Sequence, residues 1–208
     1  MSRSPSAFVV MFCALFLVAG CATPKSEIPI DKGSVQPGTQ VTSRGNPIKL
    51  LGSPISVGKP LLSLDLVDAM TMKNVDLSKE RGAVLLLSVV PSIDTRVCEE
   101  QTHILSEKGQ GLTKTVKRIV ISRDTPFAQK RFANESKLKN LQYLSDYKLG
   151  DFGRSTGLLA EGSMLLARSV IIVDKQGIVR YIQVVPEGGH LPDMERAFQE
   201  AMKIEKEG

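Results

Sequence analysis

Pro91-Ser92-Ile93-Asp94-Thr95-Arg96-Val97-Cys98 is the stretch on which the reading of this chain turns. It follows an apolar, β-branched-rich run over residues 83–90, which predicts a buried strand. Thr95 and Cys98 stand three apart, so a helix beginning here puts both on one face. A thiol in the first turn of a helix meets unpaired backbone N–H groups and the positive end of the helix dipole. Both favour the thiolate, the nucleophilic form of cysteine. The Thr95 hydroxyl can be directed at that sulfur or at an oxygen bound beside it.

Outward from this stretch, apolar runs over 116–121, 169–173 and 178–185 predict further strands. Between them the pattern predicts helices over 95–107, 126–134 and 151–156, and a last helix over 192–204. Asp174-Lys175-Gln176-Gly177 joins two strand-like runs and reads as a hairpin turn. Near the start, residues 47–51 and 53–57 are expected to form a small hairpin around Gly52. Strands alternating with helices and closing on a hairpin and a helix predict an α/β domain, long enough to bury a substantial core.

The spacing Pro-x-x-x-Thr-x-x-Cys after a strand resembles the peroxidatic motif of peroxiredoxins. The longer Pro-Ser-Ile-Asp-Thr-x-Val-Cys is similar to one branch, the bacterial thiol peroxidases, which are atypical two-cysteine peroxiredoxins. Pro126-Phe127-Ala128-Gln129-Lys130-Arg131-Phe132 resembles a second segment of that branch, and Gly45-Asn46-Pro47 and Ala167-Arg168-Ser169-Val170 are weaker matches. The resemblance runs from about Arg44 to the C-terminus. It implies a thioredoxin-like central mixed sheet flanked by helices, with a small N-terminal β-hairpin. It also assigns Cys98 as the peroxide-attacking nucleophile, Thr95 as a hydrogen-bond donor, Arg168 as the charge-stabilising guanidinium and Pro91 as the residue that shapes the loop. The departure is at Ala133, where the family places a resolving cysteine directly after the Arg-Phe pair. Arg96 stands where the branch often has glycine; it either aids thiolate formation or covers the loop. Glu99 and Glu100 oppose the thiolate only weakly if they face solvent.

The chain has three cysteines, Cys13, Cys21 and Cys98. Residues 7–18 form an unbroken apolar stretch behind Arg3, the length of a signal-peptide core and too short for a comfortable membrane span. Val18-Ala19-Gly20-Cys21 closes it and resembles a bacterial lipobox, which implies cleavage after residue 20 and lipidation of Cys21; an ordinary secretory signal with a chance cysteine is the alternative. Ala22 in place of an aspartate resembles the outer-membrane sorting default of a Gram-negative host, on the periplasmic side. Residues 21–44 are polar, rich in Pro, Gly, Ser, Thr and Lys, and are expected to be a flexible tether reaching ~25–30 Å, ahead of a domain over 45–208. An exported chain with one usable thiol has no pair for a structural staple, so Cys98 is either kept for chemistry or is a buried inert cysteine.

Other chemistries lack material. The formal charge of +5 is spread among acidic residues, Trp is absent and aromatics make up 5% of the chain, which argues against a nucleic-acid partner. No Cys-x-x-Cys is present, and His103 and His190 with one free thiol give no metal-ligand spacing. No cofactor is implied. The expected function is a thiol-dependent peroxidase of hydrogen peroxide and organic hydroperoxides at the cell envelope, using an external thiol or a thioredoxin-like reductant. The family resemblance adds pairing as a homodimer. The alternatives are a slowly turning-over redox sensor and an interaction lipoprotein on the same fold.

Overall fold

The computed structural model of the protein describes residues 27–62 and 65–207. In chain order the strands and helices are β1 (Ile30–Asp31), β2 (Gln40–Ser43), β3 (Asn46–Leu51), β4 (Leu66–Asp68), β5 (Asn74–Val75), β6 (Val84–Val89), α1 (Arg96–Glu107), β7 (Val116–Ser122) and α2 (Pro126–Ser136). They continue with β8 (Gln142–Ser145), α3 (Asp151–Thr156), β9 (Leu159–Ala160), β10 (Ser169–Val173), β11 (Val179–Val184), β12 (Leu191–Pro192) and α4 (Met194–Glu207). Seven strands form one mixed sheet in the order β11-β10-β6-β7-β8-β4-β5. β6, β7 and β8 run parallel, while β10 and β4 pair antiparallel on either side of them.

Every residue of β6 is buried, because the central strand is covered on both faces. Leu85, Leu87 and Val89 point into one apolar cluster with Phe152 of α3, Val41 of β2 and Leu50 of β3. Val84, Leu86 and Val90 alternate to the other face, where Leu105 of α1, Phe132 of α2 and Ala197, Phe198 and Ala201 of α4 meet them. Full burial of one such side chain stabilises the fold by about 1.5–3 kcal/mol. Helix α1 buries Cys98, Gln101, Thr102, Leu105 and Ser106, the i, i+3, i+4, i+7, i+8 face that seats it on the sheet. Its last turn ends where Arg118 of β7 donates to the carbonyls of Leu105 and Ser106, at 3.2 and 2.8 Å. Among the described residues no helix is long and apolar enough to cross a membrane.

The thioredoxin-like peroxiredoxin fold and its N-terminal hairpin are as expected, but the hairpin sits earlier in the chain. It is formed by β2 and β3, paired from Gln40–Lys49 to Ser43–Asn46. Arg44 and Gly45 turn it with φ of 50° and 78°, the left-handed pair a two-residue hairpin loop requires. Residues 53–57 form no strand. Gly52, at φ 103°, passes the Arg154 carbonyl so closely that a Cβ would lie 2.0 Å from its oxygen. The amides of Ser53 and Ile55 bond to Arg154 and Thr156, so the chain turns onto α3 instead of back along β3.

The tether expected across 21–44 also needs correction over its described part. From Pro29 onward the chain is part of the domain, as a strap along the open edge of β11. β1 pairs in parallel with β12. Val35 donates to the Val184 carbonyl at 3.0 Å, the Val184 amide donates to Ser34, and Gln183 Nε2 donates to the carbonyls of Asp31 and Gly33. The unpaired backbone groups of an edge strand supply the reason, and apolar periodicity could not show it. The expected signal peptide over 1–20 and Cys21 lie outside the described residues.

Candidate active site

Cys98 is the third residue of α1, the helix that starts at Arg96, seven positions beyond Val89 at the end of β6. Pro91 to Thr95 form the intervening loop, and a carboxylate from the next parallel strand's loop fixes its shape. Asp124 accepts from Ser92 Oγ at 2.7 Å and from the Ile93 amide at 2.8 Å. Asp94 adds an ion pair to Arg131 of α2 at 2.9 Å. Both partners of that pair are more than half exposed, so it contributes little.

The Cys98 sulfur is fully buried, and two side chains converge on it. Thr95 Oγ1 lies 3.0 Å from Sγ and 3.1 Å from the Ser92 carbonyl, so its single proton serves one or the other. Thr95 occupies the N-cap position of α1 but makes no side-chain cap bond; its hydroxyl lies between the sulfur and the Ser92 carbonyl instead. Arg168, at the start of β10, is 3% exposed and uses all three of its nitrogens. Nη2 reaches Sγ at 3.4 Å, Nη1 donates to Gln101 Oε1 at 2.8 Å, and Nε donates to the Gly188 carbonyl at 3.1 Å. Gln101, one turn beyond Cys98, is held in turn by its Nε2 donating to Ser88 Oγ of β6 at 2.8 Å.

A groove of about 410 Å³ opens over this cluster, with Pro91, Thr95, Val97 and Arg168 on one side. The β2–β3 hairpin forms the facing wall through Val41 and Ile48. Negative charge on the sulfur, or on an oxygen displaced from the one it attacks, would meet the Thr95 hydroxyl and the Arg168 fork. Glu99 and Glu100 are exposed and turn away. Arg96, also exposed, borders a separate hollow with them and His103.

Glu187 sits at the groove's edge, half-buried. Burial would push its carboxyl up, but the Gly45 amide, the Thr42 hydroxyl and the amides of Arg44 and Gly189 outweigh that and draw it down to about 2. Ala133 lies half-buried on α2 against the same apolar cluster that holds Cys98. Among the described residues Cys98 is the free cysteine, and no group of three His, Cys, Asp or Glu side chains is placed to hold a metal ion.

The structure therefore brings Cys98, Thr95 and Arg168 together, with Pro91 at the lip of the same groove. The sequence reading did not find Gln101, Ser88, Asp124, Gly188 or Glu187. Gln101 had a local signal, the i+3 spacing from Cys98 on the buried face of α1. The others depend on contacts made only in the folded chain.

A buried cysteine at a helix start, with a hydroxyl and a guanidinium on its sulfur above a mixed sheet, is the arrangement that the resemblance to peroxiredoxins implies. The redoxin family model matches residues 56–198, and the chain belongs to that family, among the thiol peroxidases. It is 41% identical to a thiol peroxidase of Listeria innocua over 165 residues, covering 79% of this chain and 99% of that protein. It is 41% identical to one of Staphylococcus saprophyticus over 160 residues, covering 77% and 96%. Among solved structures, a peroxiredoxin-like protein from Aquifex aeolicus superposes with a TM-score of 0.75 at 32% identity, over 80% of this chain and 97% of that one. A thiol peroxidase from Chromobacterium violaceum shares the fold, with a TM-score of 0.69 at 20% identity over 81% and 98%.

Proposed function

We propose that this protein is a thiol-dependent peroxidase that reduces hydrogen peroxide and organic hydroperoxides through a sulfenate at Cys98. The reading rests on one observation: a threonine hydroxyl at 3.0 Å and an arginine nitrogen at 3.4 Å meet on a single buried sulfur. The thiolate attacks the terminal peroxide oxygen, an S–O bond forms and the O–O bond breaks. The bonding pair leaves on the distal oxygen, which departs as an alcohol or water once protonated. Thr95 and Arg168 donate where that charge grows, and Pro91 shields the sulfur from bulk water. A thiol then condenses with the sulfenic acid, releasing water and leaving a mixed disulfide. A second thiol attacks that disulfide and frees Cys98.

With Ala133 in the resolving position, the reducing thiols come from outside the chain, as a small thiol or a thioredoxin-like protein. Turnover then depends on which thiol is added, and excess peroxide drives the waiting sulfenate to inactive sulfinate. The same alanine favours the second reading, a redox sensor that oxidises fast and turns over slowly. Stopped-flow consumption of an organic hydroperoxide, with Cys98→Ser as control and thiols varied, separates the two. Consumption that survives in Cys98→Ser would end both readings.

The envelope location belongs to the same proposal. Lipidation of Cys21 would tie the domain down only six residues before Glu27. Six residues cannot span more than about 20–22 Å even when fully extended. The domain would therefore work close to the membrane surface, where lipid hydroperoxides arise. Intact mass of protein extracted from membranes tests this: residues 1–20 should be missing and acyl and glyceryl mass present. An unmodified Cys21 would remove the anchor.

A further inference from the structure

We propose that Glu187 is a positioning residue: its carboxylate clasps the tip of the β2–β3 hairpin to the loop that orients Arg168. Oε1 accepts from the Arg44 amide at 2.9 Å and the Gly189 amide at 3.3 Å. Oε2 accepts from Thr42 Oγ1 at 2.8 Å and the Gly45 amide at 3.2 Å. One side chain thus takes four donors, three of them backbone amides from two separate loops. Arg44 holds a left-handed φ of 50°, a conformation that costs a non-glycine residue energy and persists only where surrounding contacts impose it. Its amide bond to Glu187 is such a contact.

The clasp continues to the sulfur through named bonds. The Thr42 amide donates to the Pro186 carbonyl at 2.7 Å, and the Gly188 amide donates to the Thr42 carbonyl at 2.8 Å. These hold Gly188 by its amide, and the Gly189 amide bonded to Glu187 belongs to the same peptide group as the Gly188 carbonyl, which accepts from Arg168 Nε at 3.1 Å. A guanidinium is a rigid plane, so holding Nε sets the direction of Nη2 toward Cys98. Glu187 reaches the chemistry through Arg168 without touching the sulfur, and it also fixes the hairpin as the far wall of the groove.

This inference rests on the peroxidase reading, and a double-mutant cycle separates the two. Glu187→Gln keeps the length but replaces one oxygen by an NH₂, which must then face a backbone N–H of Arg44, Gly45 or Gly189. The second-order rate of Cys98 oxidation by hydrogen peroxide is measured by stopped flow, below the melting temperature of each variant. Glu187→Gln should slow it about tenfold in the wild-type background and leave it unchanged in an Arg168→Met background, because contacting groups in one network couple. A role in stability alone would leave the rate unchanged in both backgrounds or lower it equally. If Glu187→Gln does not fold, Thr42→Val carries the cycle, removing one donor with an expected loss of about threefold. An equal loss in both backgrounds, no loss, or a faster reaction overturns the proposal while the peroxidase reading stands. A wild-type protein whose Cys98 does not react with peroxide overturns both.

Discussion

Replacing Arg168 by Met removes a full charge from a point 3.4 Å from the Cys98 sulfur. At that separation two unit charges interact by about 1 kcal/mol at the dielectric constant of water, and by about 5 kcal/mol at an effective value of about 20. Arg168 is 3% exposed and Cys98 0%, so the site lies toward the second figure. Only the part of that interaction that grows as charge passes to the leaving oxygen lowers the barrier. A loss of about 10²–10³ in rate is expected, in line with removal of a single oxyanion donor. Arg168→Lys keeps the charge, but one ammonium cannot replace a planar fork shared among Gly188, Gln101 and the sulfur, so its rate should fall between wild type and Met. The assay is stopped-flow oxidation of Cys98 under excess peroxide. Met also leaves the Gly188 carbonyl and Gln101 Oε1 without their donor, costing stability by about 1–3 kcal/mol each, so rates are compared where circular dichroism shows every variant folded. Wild-type kinetics in Arg168→Met would refute the assignment of the guanidinium.

Thr95→Val should slow peroxide attack by about tenfold or more with little change in melting temperature, because the Thr95 hydroxyl makes no cap bond for α1; a large drop in melting temperature with unchanged kinetics would reverse that assignment. A version beginning at Arg44 should melt below one beginning at Glu27, since it lacks β1, β2 and the strap bonds to β11; equal melting curves would return the strap to the status of a tether. The carboxyl of Glu187 is held at about 2, below its ordinary value of 4.5, so its stabilisation is complete above pH ~4.5 and fades as pH falls toward 2. Denaturant titration should show wild type ahead of Glu187→Gln by about 1–2 kcal/mol at pH 6 after allowance for solvent screening, with the gap closing near pH 2. A gap independent of pH would contradict that linkage. Ala133→Cys should allow an internal disulfide after peroxide treatment if α2 and the Cys98 loop can bring the sulfurs within bonding range; non-reducing mass analysis reads it directly.

The parts of the fold and site that the sequence made legible are those with local causes. The run into Pro91, the Thr95–Cys98 spacing and the buried face of α1 all follow from strand and helix periods within a few residues. Arg168 is 70 positions from Cys98, so residue patterns could not link them and only the family resemblance did. The strap was hidden for a different reason: it binds through backbone groups and polar side chains, which leave no apolar period. Gly52 misled because a glycine between two apolar runs signals a turn, whereas here it allows close approach to the Arg154 carbonyl. The real turn used Arg44, a residue with no preference for positive φ, held there by a carboxylate more than 140 positions away.

The measurement that bears most directly on the central claim is intact mass after one equivalent of peroxide, with a sulfenate trap present and peptide mapping to locate the change. The predicted result is one trapped oxygen equivalent on Cys98, no intramolecular disulfide, and return to the starting mass when external thiol replaces the trap. Oxidation mapped elsewhere, or a Cys98 that remains reduced while peroxide disappears, would contradict it.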